Sequence, residues 1–135
     1  MKNTFCYILF VLLLCVFCSF DVERIPVIYM IGDSTMADKP LSGGNPERGW
    51  GQMFPGFWTP DIRVDNRALN GRSSRSFRNE GHWEFVRKRL RKGDYVFIQF
   101  GHNDQKADTA RHSDAETDYK INLGKYIDET REAGA

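Results

Sequence analysis

Short apolar runs alternate along this chain with polar, glycine-rich segments. Three of the runs, at residues 25–31, 62–69 and 95–100, are six to eight residues long, and glycine or asparagine follows each one. Runs of this kind are typical of strands buried in a sheet, although the second has the weaker pattern. Residues 50–58 predict one or two helical turns that Pro60 closes. The pattern therefore predicts three strands separated by helical or polar segments.

Helical spacing follows the second and third predicted strands. Residues 81–91 predict a helix, because apolar side chains recur on one face and basic residues crowd its last turns. Gly93 then has the place of a C-terminal cap. Ser113 and Glu116 have the spacing of a capping box, which predicts the start of a last helix that Gly134 ends.

The predicted elements alternate as strand, helix, strand, helix, strand, helix. This order is typical of α/β folds in which a parallel sheet lies between helices. Such sheets bind ligands at the carboxyl ends of their strands. Polar residues follow all three predicted strands, at residues 32–35, 70–73 and 101–104. The sequence therefore predicts a site at that edge of the sheet.

The three polar turns contain the groups that acyl transfer needs. Ser34 is a candidate nucleophile, Gly71 offers a backbone N–H without a side chain in the way, and Asn103 offers a side-chain amide donor. A hydroxyl attacks the acyl carbon, and two donors stabilise the oxyanion that forms. Each residue alone also has a structural interpretation, as a helix cap, a turn glycine and an Asx turn.

Charge and cysteine content exclude several other classes of protein. The formal net charge is +1, from 19 Lys and Arg against 18 Asp and Glu, which argues against a nucleic acid partner held by bulk charge. All three cysteines lie in the first 18 residues. The rest of the chain therefore has no disulfide, no cysteine metal site and no cysteine nucleophile, and no metal is expected.

The first 19 residues are interpreted as a signal peptide. Lys2 precedes an unbroken apolar run over residues 5–17, and small residues follow it. The run is shorter than a bilayer span, so a stable membrane anchor is not expected. Lipid attachment at Cys18 is disfavoured by the bulky Phe17 before it. We expect cleavage near residues 18–20 and a secreted or periplasmic protein.

Three motifs together resemble a known family. IGDSTMAD, NRALNGRSSRSF and FGHND are similar to the first three conserved blocks of the SGNH (GDSL-type) hydrolases. With the Gly-Trp-Gly triplet at residues 49–51, they resemble the rhamnogalacturonan acetylesterase branch more narrowly. The resemblance implies a three-layer α/β/α sandwich of flavodoxin-like type, which residues 20–135 supply in part. It also implies a serine esterase that acts on an acetylated polysaccharide and needs no cofactor.

The resemblance also implies roles for individual residues. Ser34 falls on the nucleophile, and the backbone N–H of Ser34, Gly71 and the Asn103 amide fall on the oxyanion hole. His102 lies inside the third block, at a position expected to line the substrate site. The basic side chains at Arg72, Arg75 and Arg78 keep two interpretations. Either they contact the carboxylates of a pectic substrate, or they are solvated or paired with acidic residues of this chain.

The fourth block of the family, Asp-x-x-His, does not occur in these 135 residues. It supplies the catalytic base, and we expect the sandwich to be incomplete at its C-terminal side. His82 and His112 are expected to be solvated. Two hypotheses follow: an exported carbohydrate O-acetylesterase present as an inactive fragment, or a sugar-binding remnant without catalysis. The DNA sequence beyond the codon for Ala135 distinguishes the two hypotheses. An open reading frame that encodes Asp-x-x-His supports the fragment, and a stop codon supports the remnant.

Overall fold

The structure, a computed structural model, describes residues 24–135. Within that range one sheet contains β1 (Val27–Gly32), β2 (Arg63–Asn66) and β3 (Tyr95–Gln99). The strands lie in the order β2-β1-β3, and both pairings are parallel. The predicted parallel α/β arrangement is confirmed. The segment interpreted as a signal peptide, residues 1–19, lies outside the described residues.

β1 is the central strand, and all six of its residues are buried. Val27 pairs with Arg63 of β2, and Gly32 pairs with Gln99 of β3. A strand that is paired on both edges and covered on both faces has no position that faces water. This explains why the sequence of β1 is a continuous apolar run and not an alternating one.

Short helices connect the strands, and one longer helix follows β3. No helix in the described part of the chain is long and apolar enough to cross a lipid bilayer. The α-helices are α1 (Trp50–Met53), α2 (Ser74–Asn79), α3 (His82–Arg87) and α4 (Asp118–Glu132), with 3₁₀ turns at Ser42–Gly44 and Phe54–Phe57.

Helical segments cover both faces of the sheet, which confirms the predicted three layers. One core joins the odd-numbered side chains of β1 to α2, α3 and α4. Its buried members are Val27, Tyr29, Ile31, Phe77, Trp83, Val86, Leu90, Phe100 and Tyr126. The other core joins the even-numbered side chains of β1 to the segments after β1 and β2. Its buried members are Ile28, Met30, Met36, Ala37 and Ala68. One strand supplies both cores because successive side chains point to opposite faces.

The helix predicted over residues 81–91 is shorter in the structure, because α3 ends at Arg87. A further short helix that was not predicted, α2, lies entirely before that range. Ser73 starts α2 because its hydroxyl accepts a hydrogen bond from Ser76 N–H, while the Ser76 hydroxyl accepts one from Ser73 N–H. A serine in the place of the usual glutamate completes this capping box, which is why the pattern is easily overlooked.

The last helix begins later than predicted. Ser113 and Glu116 do not form a capping box; the Asp114 carboxylate accepts a hydrogen bond from Glu116 N–H instead, and α4 starts two residues further on. Gly134 ends the helix as predicted, with a φ of +78°. The prediction for Gly93 is wrong, because Gly93 lies in the turn before β3 and its N–H donates to Gly134 O.

Asp94 joins the amino ends of β1 and β3. Its buried carboxylate accepts hydrogen bonds from Val27 N–H at 2.9 Å, from Arg91 N–H at 2.9 Å and from both terminal nitrogens of Arg24. Burial alone would raise the pKa of Asp94, but these hydrogen bonds outweigh it and lower the pKa below its ordinary value. The charged form therefore stabilises the fold.

We expect Asp94→Asn to lower the free energy of unfolding by about 2–3 kcal/mol at pH 7, because hydrogen bonds to a charge are lost. The pKa is lower in the folded state, so the carboxylate contributes fully above its unfolded-state pKa of about 3.9. That contribution is lost as the pH falls through the folded-state pKa. Urea unfolding of the variant should show a flatter dependence on pH below about pH 4. Equal stability of both chains at pH 7 would contradict this prediction.

Candidate active site

The turns that follow the three strands are hydrogen-bonded to one another at the carboxyl edge of the sheet. Asp33 N–H donates to Gln99 O at 3.1 Å, which joins the turn after β1 to the end of β3. Leu69 N–H donates to Gly32 O at 3.0 Å, which joins the segment after β2 to the end of β1. The three polar turns singled out in the sequence therefore lie at one edge.

Ser34 lies in a tight turn directly after β1. The N–H groups of Met36 and Ala37 both donate to Asp33 O, at 3.2 and 3.0 Å. The fully buried Asp33 carboxylate holds the turn from within, because it accepts from Thr35 N–H at 2.9 Å and from the Thr35 hydroxyl at 2.8 Å. Ser34 itself is partly exposed. The turn thus fixes its backbone while a substrate can reach it.

Gly49 and Gly51 allow a second segment to pack tightly against the Ser34 turn. A Cβ atom on Gly49 would lie 2.0 Å from Ala37 O, and one on Gly51 would lie 2.6 Å from Met36 O. No side chain fits at either position. The two glycines of the triplet at residues 49–51 are therefore explained by this close approach.

Trp50 lies beside the same turn with its indole 41% exposed. Its Nε1–H donates to Gln99 Oε1 at 2.9 Å. The Gln99 amide nitrogen in turn donates to Asp33 Oδ1 at 3.2 Å and to the Thr35 hydroxyl. These bonds fix the indole relative to the turn that carries Ser34.

Gly71 lies in the turn after β2 with a φ of +77°, a conformation that favours glycine. The residue before it, Asn70, accepts a hydrogen bond from the nearly buried Lys39 ammonium at 2.7 Å. The capping box at Ser73 begins α2 on the other side. The Gly71 N–H therefore belongs to a turn that is held at both ends.

Asn103 is 4% exposed and links the turn after β3 to the turn after β2. Its Nδ2 donates to Arg72 O at 3.0 Å. An amide nitrogen carries two hydrogens, so one donor remains for a ligand. His102, by contrast, is exposed, and its Nδ1 lies 3.4 Å from Gln105 Nε2. Its role in lining the site stays a prediction.

The other two histidines have partners away from Ser34. His82 Nε2 lies 3.1 Å from the Glu80 carboxylate, and His112 Nδ1 lies 3.0 Å from Lys106 O. No hydrogen bond within residues 24–135 joins a histidine to Ser34. In the same part of the chain, acidic, histidine and cysteine side chains form no group of three or more that could hold a metal ion.

The basic cluster after Gly71 is paired internally. Its ion pairs are Arg72 with Glu80 at 2.9 Å, Arg75 with Asp118 at 2.5 Å and Arg78 with Glu129 at 2.8 Å. Burial would raise the pKa of Glu80, but hydrogen bonds from Arg72 and His82 lower it overall. Of the two interpretations of these arginines, the structure shows pairing within the chain, and the pairs of Arg75 and Arg78 hold α2 to α4.

Sequence patterns did not single out Ser74 and Asp104, two buried polar residues next to the predicted site. Ser74 is the first residue of α2, and Asp104 directly follows Asn103. Their hydrogen bonds join the same two turns that the Asn103 amide joins. The signal that could have identified Asp104 was its position as a carboxylate in the polar motif that follows a predicted strand.

Known proteins resemble this chain in sequence. The profile of the GDSL-like lipase/acylhydrolase family matches residues 30–135. Rhamnogalacturonan acetylesterase RhgT of Bacillus subtilis is 37% identical over 108 residues, which cover 80% of this chain and 45% of RhgT. Rhamnogalacturonan acetylesterase of Emericella nidulans is 40% identical over 77 residues, which cover 57% of this chain and 28% of the fungal protein.

A solved structure also resembles this chain. Protein YxiM of Bacillus subtilis superposes with a TM-score of 0.72 at 32% sequence identity, over 83% of this chain and 31% of YxiM. This chain therefore spans less than half the length of each of these relatives. The profile match extends from β1 to the end of α4 and includes the motifs of Ser34, Gly71 and Asn103. On this evidence the chain belongs to the GDSL-like lipase/acylhydrolase family.

Proposed function

We propose that this protein is a carbohydrate O-acetylesterase that acts on an acetylated polysaccharide such as rhamnogalacturonan. Ser34 is the nucleophile, and Gly71 and Asn103 supply oxyanion donors. The observation that carries the proposal is the meeting of their three turns at one edge, joined by hydrogen bonds such as that from Asn103 Nδ2 to Arg72 O. The names of RhgT and of the Emericella relative support the choice of substrate.

The proposed reaction passes through a tetrahedral intermediate. Ser34 Oγ attacks the carbonyl carbon of the acetyl ester, and the carbonyl oxygen becomes an oxyanion that the donors at Ser34, Gly71 and Asn103 bind. The sugar oxygen leaves with a proton, and the acetyl group stays on Ser34 until water releases it as acetate. The proton that Ser34 loses is the one that the sugar oxygen gains, and within residues 24–135 no histidine is hydrogen-bonded to Ser34 to carry it.

Titration with oligosaccharides tests the proposal without relying on turnover. We expect acetylated rhamnogalacturonan fragments to shift the ¹H–¹⁵N signals of Ser34, Gly71 and the Asn103 side chain. Deacetylated fragments should bind about fivefold more weakly, because they lack the buried methyl and the carbonyl acceptor. Equal affinity for both fragments, or shifts confined to other parts of the chain, would contradict an acetyl site at this edge.

Two glycine variants form a matched pair for this titration. Gly71 and Gly93 both have positive φ, and a Cβ atom added at either position would have no neighbouring atom within 4 Å. Alanine therefore introduces similar backbone strain at each. Gly71→Ala should weaken binding, whereas Gly93→Ala, in the turn before β3 at the other edge, should not.

We also propose that residues 1–19 direct export and that the protein acts outside the cytoplasm, secreted or periplasmic. The apolar run over residues 5–17 after Lys2 supports this proposal. Mass spectrometry of the exported protein should find a new N-terminus near residues 18–20, and Leu13→Arg should block export because it breaks the apolar run. An exported chain that keeps Met1 would contradict cleavage.

A further inference from the structure

Ser74 and Asp104 form a buried contact between the turn after β2 and the turn after β3. The two residues are 0% and 3% exposed. Ser74 N–H donates to Asp104 Oδ1 at 3.0 Å, and the Ser74 hydroxyl donates to the same oxygen. A buried carboxylate is costly unless it is hydrogen-bonded, so this contact defines one arrangement of the two turns.

Ser74 also accepts two hydrogen bonds from side chains of α4. Tyr126 OH donates to Ser74 O at 2.8 Å, and Asn122 Nδ2 donates to Ser74 Oγ at 3.1 Å. Burial raises the pKa of the Tyr126 phenol, which keeps it a neutral donor. Asp104 is anchored as well, because Ser113 N–H donates to Asp104 O at 2.9 Å. The contact thus lies inside a packed polar network.

This network is adjacent along the chain to the two predicted oxyanion donors, the Gly71 N–H and the Asn103 amide. Asp104 is the residue after Asn103, and Ser74 follows Gly71 by three positions. The bond from Asn103 to Arg72 O and the bond from Ser74 to Asp104 form two neighbouring links between the same turns. A change in the second link therefore changes the spacing that the first link and both donors depend on.

We propose that Asp104 is a positioning residue that sets the distance between the Gly71 N–H and the Asn103 amide through its hydrogen bonds to Ser74. The inference rests on the proposed function of this edge. Asp104 is 3% exposed and acts through Ser74, not through contact with the substrate. Oxyanion donors are effective only when held at about 3 Å from the developing charge, so their spacing matters more for a tetrahedral species than for a planar ester.

The affinity of Ser34 for methylboronic acid tests this dependence on donor spacing without requiring turnover. Ser34 Oγ adds to boron, the hydroxyl proton passes to solvent, and a tetrahedral boronate anion forms whose oxygen stands for the oxyanion. Its Kd is measured from ¹H–¹⁵N shifts of the 135-residue chain. We expect Asp104→Asn to raise this Kd about 10- to 100-fold, because charge-assisted bonds to Ser74 are weakened. Ser74→Ala, which keeps the N–H bond to Asp104, should raise it less.

Asp94→Asn is the matched control, because Asp94 is another buried carboxylate that bonds backbone N–H groups, at the opposite edge of the sheet. It should lower the melting temperature but leave the boronate Kd within about twofold of wild type. An unchanged Kd in both Asp104→Asn and Ser74→Ala, or an equal loss in Asp94→Asn, overturns the inference. A wild-type chain that titrates like Ser34→Ala contradicts the proposed function itself, and the positioning role falls with it.

Discussion

A polypeptide of these 135 residues is expected to hydrolyse p-nitrophenyl acetate about 10⁴- to 10⁶-fold more slowly than a serine esterase with a complete triad. The reason is geometric, since none of its three histidines is hydrogen-bonded to Ser34. The donors at Gly71 and Asn103 should leave a small residual rate above that of water, as oxyanion holes do when a triad member is missing. Steady-state assays of the purified chain measure both quantities.

Histidine and serine variants serve as controls for this assay. Ser34→Ala, like alanine at His82 or His112, should leave the residual rate nearly unchanged, because the triad is already incomplete and the donors at Gly71 and Asn103 remain. A wild-type rate at ordinary esterase levels that Ser34→Ala abolishes would contradict the prediction. A loss of activity with one histidine variant would then identify the base.

The same polypeptide is expected to self-associate through β3. In residues 24–135, β3 pairs with β1 on one side and with no strand on the other. Its sequence, YVFIQ, contains no charge and no proline, the usual features that protect a sheet edge. A mainly apolar groove runs along this strand, and its lining comprises Tyr95, Val96, Phe97, Ile98, Ile127 and Ala135 together with Thr130 and Arg131. Sedimentation of the chain at tens of micromolar should therefore show dimers or larger species.

Two isoleucines of α4 provide a matched test of this surface. Ile127 lies in the groove beside β3 and is 39% exposed, whereas Ile121 is 54% exposed and does not line the groove. Ile127→Lys should weaken association about tenfold or more, because a charge would be buried in the contact. Ile121→Lys should not. A monodisperse wild-type monomer with one cooperative transition above about 50 °C would show that the edge needs no partner.

Patterns along the sequence were sufficient to place the three strands and the end of the sheet that carries the candidate site, although β2 ends at Asn66 and not at Leu69 as predicted. The run at residues 25–31 predicts β1 well, because a strand buried on both faces must be apolar at every position. The parallel pairing of the strands followed from alternation, since parallel strands need a crossover between them. The polar turns at Ser34, Gly71 and Asn103 were visible as a set because each follows a predicted strand, and the carboxyl ends of parallel strands lie together. All these features are local or periodic.

The helix boundaries depended on contacts that the sequence does not display. Ser113 is 4% exposed and contacts Asn122, nine positions away, so it does not cap the helix that its spacing with Glu116 predicted. The local carboxylate of Asp114 takes that role. A capping pattern states which side chains are able to cap, but competition from a buried network decides which of them does.

The internal links of the candidate site were decided by tertiary structure alone. Ser74 and Asp104 are 30 positions apart, and Arg75 and Arg78 of α2 pair with residues of α4 that are 43 and 51 positions away. Such pairs have no spacing rule, because they exist only after β2 and β3 have both paired with β1 and brought two distant turns together. The sequence by itself therefore determined which groups lie at the edge of the sheet. The tertiary structure determined which of these groups are hydrogen-bonded to one another, because hydrogen-bond geometry is set by the packing of whole elements.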